Sequence, residues 1–171
     1  MATEIERKFL VKQASWRSIA DAHYRDKGAR YRQGYLNTDK ERTVRVRTIV
    51  PTARTQGGSD AQHGYLTIKG KTVGASRAEY EYEIPFQDAE EMLDTLCHRP
   101  LIEKIRYTVE HSGVTWEVDE FLGANTGLLV AEVELERVDQ LFTKPAWIDQ
   151  EVTDDHRYFN ASLVEHPFSR W

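Results

Sequence analysis

The segment near the start of the chain alternates charged and apolar side chains. Residues 3 to 11 read TEIERKFLV, so Glu4, Glu6 and Lys8 share one face of a β-strand, because successive side chains of a strand point to opposite faces. Carboxylate oxygens suit hard divalent cations, and an ammonium group suits phosphate. Taken alone, this pattern also fits a solvated strand; with charged partners on other strands it predicts a face that brings a metal ion and an anion together.

Later segments alternate in the same way, but their charges are separated by sign. The basic positions are Arg45, Arg47, Lys69, Lys104 and Arg106, and the acidic positions are Glu79, Glu81, Glu117, Asp119, Glu132 and Glu134. For any single strand, an ordinary solvated face is the simplest explanation. Solvated faces usually intersperse the two signs, however, so the separated stripes favour an enclosed polyanion with its metal ions.

The same segments carry apolar residues on their opposite faces, as strands of a layered protein do. Strands are expected at 3–11, 31–36, 42–50, 64–70, 76–85, 102–110, 114–121 and 129–136. Helices are expected at 16–27, from a capping box at Asp88 to before Pro100, at 139–142 and at 153–164. Regular β–α alternation is absent from this order, so we expect a single α+β domain over 1–171 whose antiparallel sheet closes around the charged faces.

One segment between two predicted strands is poor in apolar residues. Residues 51–64 read PTARTQGGSDAQHG, with three glycines and one proline. Such a composition buries too little apolar surface to offset the entropy of ordering the segment. We therefore expect a mobile hairpin loop here.

Composition narrows the class of protein. The 171 residues carry a net charge of −5, which argues against a broad nucleic-acid surface. The sequence contains no apolar run of the roughly 18 residues that a membrane span needs. The first residues do not have the pattern of a secretory signal, and the single cysteine, Cys97, cannot form an internal disulfide. We expect a cytoplasmic protein that acts on a small molecule and has neither nucleic acid nor membrane as partner.

An ordered series of motifs resembles one known family. Glu4-Ile5-Glu6-Arg7-Lys8 is similar to the ExExK signature of the CYTH superfamily, the triphosphate tunnel metalloenzymes. Further motifs follow in the family's order: Arg32-Gln33-Gly34-Tyr35-Leu36, Arg45-x-Arg47, Leu66-Thr67-Ile68-Lys69, Arg77-x-Glu79-x-Glu81, Glu103-Lys104-x-Arg106-Tyr107, Trp116-Glu117-Val118-Asp119, Ala131-Glu132-Val133-Glu134 and Glu151-Val152-Thr153-x-Asp155-x-Arg157-Tyr158. The resemblance implies an eight-stranded antiparallel β-barrel flanked by helices, dependence on a divalent metal, and a substrate that bears a triphosphate.

The charged residues then receive roles. The predicted phosphate ligands are Lys8, Arg45, Arg47, Lys69, Lys104 and Arg106. The predicted ligands of Mg²⁺ or Mn²⁺ are Glu4, Glu6, Asp119, Glu132 and Glu134. Lys8, Glu4 and Glu6 are the predicted catalytic residues, with Lys8 either orienting water or only binding phosphate. Glu79 and Glu81 either complete a second metal site or pair with the basic stripes.

The chain looks most like the short bacterial inorganic tripolyphosphatases, which implies hydrolysis of tripolyphosphate to pyrophosphate and phosphate. Four alternatives stay open: a class IV-type adenylate cyclase, a thiamine triphosphatase, a nucleoside triphosphatase, and a non-catalytic polyphosphate-binding module. The last would need the basic stripes but not the carboxylates. A homodimer through an outer strand or helix face is a further expectation.

Overall fold

A computed structural model describes residues 2–24, 27–37, 39, 41–53, 62–74 and 76–171. The strands are β1 Ala2–Val11, β2 Ala29–Tyr35, β3 Thr43–Pro51, β4 His63–Lys69, β5 Ser76–Ile84, β6 Ile102–His111, β7 Val114–Phe121, β8 Leu129–Glu134 and β9 Ile148–Glu151. The helices are α1 Gln13–His23, α2 Phe86–Thr95 and α3 Asn160–Glu165, with short 3₁₀ turns at Gly123–Asn125, His156–Tyr158 and Phe168–Arg170.

The sheet closes on itself through its first strand. The strand order is β5-β4-β3-β2-β6-β7-β8-β1, and β1 also pairs with β5, so eight antiparallel strands form a barrel. Glu4 lies opposite Arg77 of β5, and further along β1 Glu6 lies opposite Glu134 of β8. The fold class predicted from the sequence is therefore confirmed. The ninth strand, β9, pairs with the end of β1 outside this ring.

An aromatic cluster covers one side of the barrel. Trp16 of α1 packs against Trp147, with ring centroids 5.2 Å apart, and Trp116 of β7 packs against Phe9 of β1 at 5.5 Å. All four residues are buried. These side chains point away from the barrel interior, so the apolar residues of the alternating strands form the core outside the sheet.

The second helix, α2, covers β3 and β4 on another side. Its Ala89 and Leu93 are buried with Val46 of β3. Close packing continues at Gly34 of β2, where an added Cβ would lie only 2.6 Å from the Cβ of Cys97. A side chain at Gly34 would therefore push the segment after α2 away from the sheet.

The outer face of β5 has little cover. Tyr80 and Tyr82 point outward from β5 and are 42% and 56% exposed. Helix α2 follows β5 directly but lies over β3 and β4 instead. Among the described residues, none of the helices is long and apolar enough to cross a membrane.

Several local predictions were wrong or shifted. Residues 139–142 contain no helix, and β9 was not predicted. The N-cap of α2 is Pro85, and Asp88 lies in the first turn, where its charge suits the positive end of the helix. The helix predicted at 153–164 is divided into a 3₁₀ turn and the short α3.

Two other predictions fall partly on undescribed positions. Helix α1 begins at Gln13 and ends at His23, earlier than predicted at both ends, and residues 25 and 26 lie outside the described residues. In the expected 51–64 loop, β3 extends to Pro51 and β4 begins at His63. Positions 54–61 of that loop also lie outside the described residues.

Candidate active site

The barrel encloses a cavity of about 720 Å³. Strand alternation turns the charged side chains inward, because the apolar side chains of the same strands are buried outside. Every site residue predicted from the sequence lines this cavity except Asp119. The lining set is Glu4, Glu6, Lys8, Arg45, Arg47, Lys69, Glu79, Glu81, Lys104, Arg106, Glu132 and Glu134. The structure thus brings the separated stripes together around one space.

Two arginines of β3 form one part of the wall. Arg47 donates to both carboxylate oxygens of Glu81 at 3.0 Å, and Arg45 donates to Glu81 at 3.3 Å and to the Thr67 hydroxyl at 3.1 Å. Burial alone would raise the pKa of Glu81, but Arg47, the Thr67 hydroxyl and Arg45 together hold the pKa below its ordinary value. Glu81 therefore pairs with the basic stripe, which is one of its two predicted roles.

The two β3 arginines still have unused donors. The Nε atoms of Arg45 and Arg47 are buried and find no hydrogen-bond acceptor among the described residues. Burial, followed by the positive charge of Arg45, lowers the pKa of Arg47. Unpaired buried donors are costly, and an anion in the cavity would relieve both the lost hydrogen bonds and the mutual repulsion.

Lys104 and Arg106 of β6 converge on Asp119 of β7. Lys104 Nζ lies 2.6 Å from Asp119 Oδ2, and Arg106 bonds both oxygens of Asp119, at 2.7 and 2.8 Å. Burial and the neighbouring Arg106 lower the pKa of Lys104 to about 8. Arg106 also bonds Glu132 at 2.9 Å and contacts Glu117.

Asp119 was predicted as a metal ligand, and that role stays a prediction. Its side chain is only 1% exposed, and both of its oxygens already bond the two cations. Although burial by itself raises the pKa of Asp119, Arg106 and Lys104 bring it below its ordinary value. In this arrangement Asp119 supports Lys104 and Arg106 from behind the cavity wall.

Lys8 connects the basic and acidic parts of the lining. Its Nζ lies 2.9 Å from Glu132 and 4.0 Å from Glu6, and its side chain is 6% exposed. Burial opposes the charge, but Glu132 and Glu6 outweigh it and raise the pKa of Lys8 above its ordinary value. Lys8 therefore stays protonated over the physiological range.

The acidic part of the lining centres on β1. Lys69 Nζ bonds Glu4 at 2.6 Å and Glu79 at 3.0 Å, so both glutamates have a cation partner. Burial raises the pKa of Glu4 in spite of Lys69. Burial also raises the pKa of Glu6, and the negative charge of Glu132 adds to that effect. Negative charge at Glu4 and Glu6 is thus only partly compensated.

These carboxylates fit a hard divalent cation by donor chemistry. Glu4, Glu6 and Glu134 offer oxygen ligands to the cavity. Burial raises the pKa of Glu4 and Glu6, and a bound cation would favour their charged forms. Among the described residues, no three acidic, histidine or cysteine side chains already form a metal cluster. Mg²⁺ commonly takes only one or two carboxylates and completes its shell with water and substrate phosphates, which this lining permits.

Several lining residues were absent from the predicted site. Arg77 lines the cavity and donates to the Gly70 carbonyl at 3.2 Å and to the Thr43 hydroxyl at 3.4 Å, but none of the described carboxylates is its ion-pair partner. Because side chains alternate along a strand, the inward-facing Glu79 and Glu81 of β5 also indicate that Arg77 faces inward. Tyr31, with Arg106 5.2 Å from its ring, and Glu117 also line the cavity.

The segment before and within α3 contributes to the lining. Asn160 Oδ1 accepts from Lys104 Nζ at 3.4 Å, and Lys8 Nζ lies 5.6 Å from the centre of the Phe159 ring. The hydroxyl of Thr153 accepts from the Lys8 backbone N–H at 3.0 Å. These contacts fix the C-terminal part of the chain against two of the basic residues.

A closed antiparallel barrel whose interior carries both basic and acidic side chains is the architecture expected of a triphosphate tunnel. Comparison with known proteins tests whether the chain belongs to that class. A model of the CYTH domain matches residues 2–166. This chain therefore belongs to the CYTH family, as its motifs indicated.

Relatives within the family are similar over their full length. An inorganic triphosphatase of Acetivibrio thermocellus is 47% identical over 171 residues, which cover 100% of this chain and 99% of that protein. An inorganic triphosphatase of Nitrosomonas europaea is 35% identical over 165 residues, covering 95% of this chain and 97% of that protein.

Solved structures agree with the fold. The crystal structure of an inorganic triphosphatase matches with a TM-score of 0.59 at 31% identity, and the match covers 94% of this chain and 97% of that one. A putative adenylyl cyclase from Hippeastrum, described as having a dominant triphosphatase activity, matches with a TM-score of 0.54 at 15% identity and covers 80% of each chain. At 15% identity, the match to the Hippeastrum protein shows only that the two proteins share a fold.

Proposed function

We propose that this chain is an inorganic triphosphatase, which hydrolyses tripolyphosphate to pyrophosphate and phosphate with a divalent metal ion. The observation that carries the proposal is the unused donor capacity of the cavity: buried Nε atoms of Arg45 and Arg47, and Arg77 with no carboxylate partner among the described residues. The full-length similarity to two inorganic triphosphatases supports the choice of reaction.

The basic residues provide the binding force for the substrate. Guanidinium groups present planar pairs of donors that match phosphate oxygens, and these bonds are stronger where water is excluded. Lys8, Lys69, Lys104 and Arg106 are bound to carboxylates in the structure described here, so they are already in place beside the cavity. Such preorganised cations stabilise the negative charge that develops on the transferred phosphoryl group.

In the proposed reaction, the oxygen of a water molecule bonds to a terminal phosphorus, and the bond from that phosphorus to its bridging oxygen breaks. Pyrophosphate leaves with the electron pair of the broken bond, and the proton of the water passes to solvent. When bound, a divalent ion would neutralise negative charge on the phosphates and lower the pKa of a water molecule. Glu4, Glu6 and Glu134 would hold that ion, and Lys8, which lies between Glu6 and Glu132, would bind phosphate.

The finer assignments belong to the same proposal. We assign Mg²⁺ or Mn²⁺ as the metal because all candidate ligands are oxygens. The cytoplasmic location and the single-domain organisation over 1–171 are also proposed; the buried free thiol of Cys97 suits a reducing compartment. A homodimer remains a proposal, and the exposed Tyr80 and Tyr82 on the outer face of β5 are where we place its contact.

The test is a product assay on the purified protein. Tripolyphosphate, thiamine triphosphate and ATP are each incubated with Mg²⁺, with Mn²⁺ and with a chelator, and the products are identified. We expect metal-dependent release of phosphate and pyrophosphate, fastest from tripolyphosphate. Cyclic AMP from ATP would overturn the proposal in favour of a cyclase, and tight binding without turnover would favour a polyphosphate-binding module.

A further inference from the structure

The guanidinium of Arg47 lies close to two tyrosine rings. Its Cζ is 5.4 Å from the ring centre of Tyr31 and 5.3 Å from that of Tyr65. Tyr31 belongs to β2 and Tyr65 to β4, and these strands pair with β3 on its two sides. The aromatic pair, Tyr31 and Tyr65, therefore reaches Arg47 from both neighbouring strands.

Strand register explains why the two rings reach one arginine. Tyr65 is directly opposite Arg47 in the pairing of β3 with β4. On the other side Gln33 is opposite Arg47. Tyr31 lies two residues from Gln33 and is thus a diagonal neighbour of Arg47 on the same face, within reach of an aromatic side chain. The contact follows from the pairing of three strands that are separate in sequence.

Hydrogen bonds alone do not fix this guanidinium. Both of its bonds to Glu81 come from one atom, Nη2, and Nε is buried with no acceptor among the described residues. Burial lowers the pKa of Arg47, and the charges of Arg45 and Arg106 add to that effect. The faces of aromatic rings attract a cation and, unlike a carboxylate, do not neutralise it.

The two rings differ in their access to the cavity. Tyr31 lines the cavity and also lies 5.2 Å from Cζ of Arg106. Tyr65 is half-buried and is not among the described residues that line the cavity. An effect of Tyr65 on a ligand in the cavity would therefore pass through Arg47, which does line it.

We propose that Tyr31 and Tyr65 are positioning residues for substrate binding, whose rings hold the Arg47 guanidinium at the cavity wall for a phosphate oxygen of the triphosphate. The inference rests on the proposed function and adds two uncharged residues that act through a phosphate ligand. Glu81 balances part of the positive charge of Arg47, whereas the aromatic pair leaves that charge for the substrate.

The test compares two substitutions at Tyr65. Tyr65→Leu removes the ring and Tyr65→Phe keeps it, and the dissociation constant for tripolyphosphate is measured by calorimetry with a chelator present, so that turnover plays no part. We expect Tyr65→Leu to weaken binding about threefold to thirtyfold, as for the loss of one cation–π contact, and Tyr65→Phe to bind as the wild type does. Tyr82→Leu, on the exposed outer face of β5, is the matched control and should keep wild-type affinity.

An Arg47→Met background tests whether the ring acts through the arginine. In that background Tyr65→Leu should cause no further loss of affinity, because the cation that the ring contacts is gone. The melting temperature of each variant shows whether it folds. Tyr31→Leu is a second variant for which we expect the same loss beside an intact Arg47, and it carries the test if Tyr65→Leu does not fold.

The outcomes separate this inference from the proposed function. Wild-type affinity in a folded leucine variant would overturn the inference, as would an equal loss in Tyr65→Phe or an undiminished loss in the Arg47→Met background. Wild-type binding without metal-dependent turnover would overturn the proposed function alone. Failure of the wild type to bind tripolyphosphate would overturn both.

Discussion

At the scale of single residues, the cavity lining combines well-paired charges with charges that lack a full partner. Arg45 and Arg47 share Glu81, so at this part of the wall two cations have one close carboxylate partner. On the β1 side, burial and the negative charge of Glu132 raise the pKa of Glu6, so nearby cations balance the charge of its carboxylate only in part. Such charge is costly for folding, and it is retained where a substrate and a metal ion supply the missing partners.

Glu6→Gln should remove metal-dependent turnover while leaving the fold intact. Burial raises the pKa of Glu6, so its charged form costs folding free energy, and a neutral amide of the same shape should leave the melting temperature of the metal-free protein equal or higher. We expect tripolyphosphate hydrolysis to fall by about a hundredfold or more, measured by phosphate release. Glu136→Gln, at an exposed position beyond β8, is the control. Full turnover by Glu6→Gln would remove Glu6 from the metal site.

Arg45→Met should weaken substrate binding without unfolding the protein. The substitution removes a charge-assisted donor, and we expect the KM for tripolyphosphate to rise by about tenfold to a hundredfold. Thermal stability should change little, because Arg47 keeps Glu81 paired and loses a repelling neighbour. Arg137→Met at an exposed ion pair serves as the matched control. An unchanged KM would contradict the role of Arg45.

At the scale of secondary-structure elements, the sheet converts alternation in sequence into an inside and an outside. The register of β1 against β8 places Glu6 opposite Glu134 and Lys8 opposite Glu132, which no single strand reveals. Antiparallel pairing of β6 with β7 similarly sets Arg106 against Asp119. The site therefore depends on pairing between strands that are distant in sequence.

The strand β9 is anchored to β1 by an ion pair on the outside of the barrel. Arg7 donates to both oxygens of Glu151, at 2.8 and 2.5 Å, and this bond holds the pKa of Glu151 below its ordinary value of 4.5. The contribution to stability is therefore present above pH 4.5 and is lost as the pH falls through the lowered pKa.

Glu151→Gln should reduce stability at neutral pH by about 0.5 kcal/mol, a small value because both side chains are about one-third exposed. At an acidic pH well below 4.5 the difference from the wild type should shrink, since protonation of the wild-type carboxylate removes the ion pair. Denaturant unfolding at both pH values measures this. A difference that stays constant or grows at low pH would show that the ion pair is not its source.

The sequence alone predicted the eight barrel strands and their inward-facing charges. The alternation of side chains along a strand does not depend on which strands lie beside it. The sequence was insufficient where tertiary contacts decide. Strand β9 has only four residues and forms through pairing with β1, and α2 begins at Phe86, before the predicted Asp88, with Ala89 of its first turn buried against β3. Tyr35 was identified only as part of a motif, since its position between the outer core and the cavity depends on the closed barrel.

At the scale of the whole molecule, the closed barrel links ligand binding to folding. Its eight strands share one hydrogen-bonded ring, so a ligand held across the interior contacts several of them together. A ligand that binds only the folded state adds about 2.7 kcal/mol of stability at a concentration one hundred times its dissociation constant.

Tripolyphosphate should therefore raise the melting temperature of the metal-free protein, and orthophosphate at the same concentration should raise it much less. The physical reason is the number of basic residues each anion can contact at once in the cavity. Differential scanning calorimetry in chelator compares the two anions, with sulfate as a control for general salt effects. Equal shifts with all three would mean that the cavity does not select a triphosphate.

The central claim is that the acidic and basic parts of one cavity divide the metal and the substrate between them. A crystal structure with Mn²⁺ and a non-hydrolysable triphosphate, in which anomalous scattering locates the metal, tests this directly. We predict Mn²⁺ beside Glu6 and Glu134, and phosphate oxygens bonded to Arg45 and Arg47. Manganese bound elsewhere on the protein, or a triphosphate outside the barrel, would contradict the account.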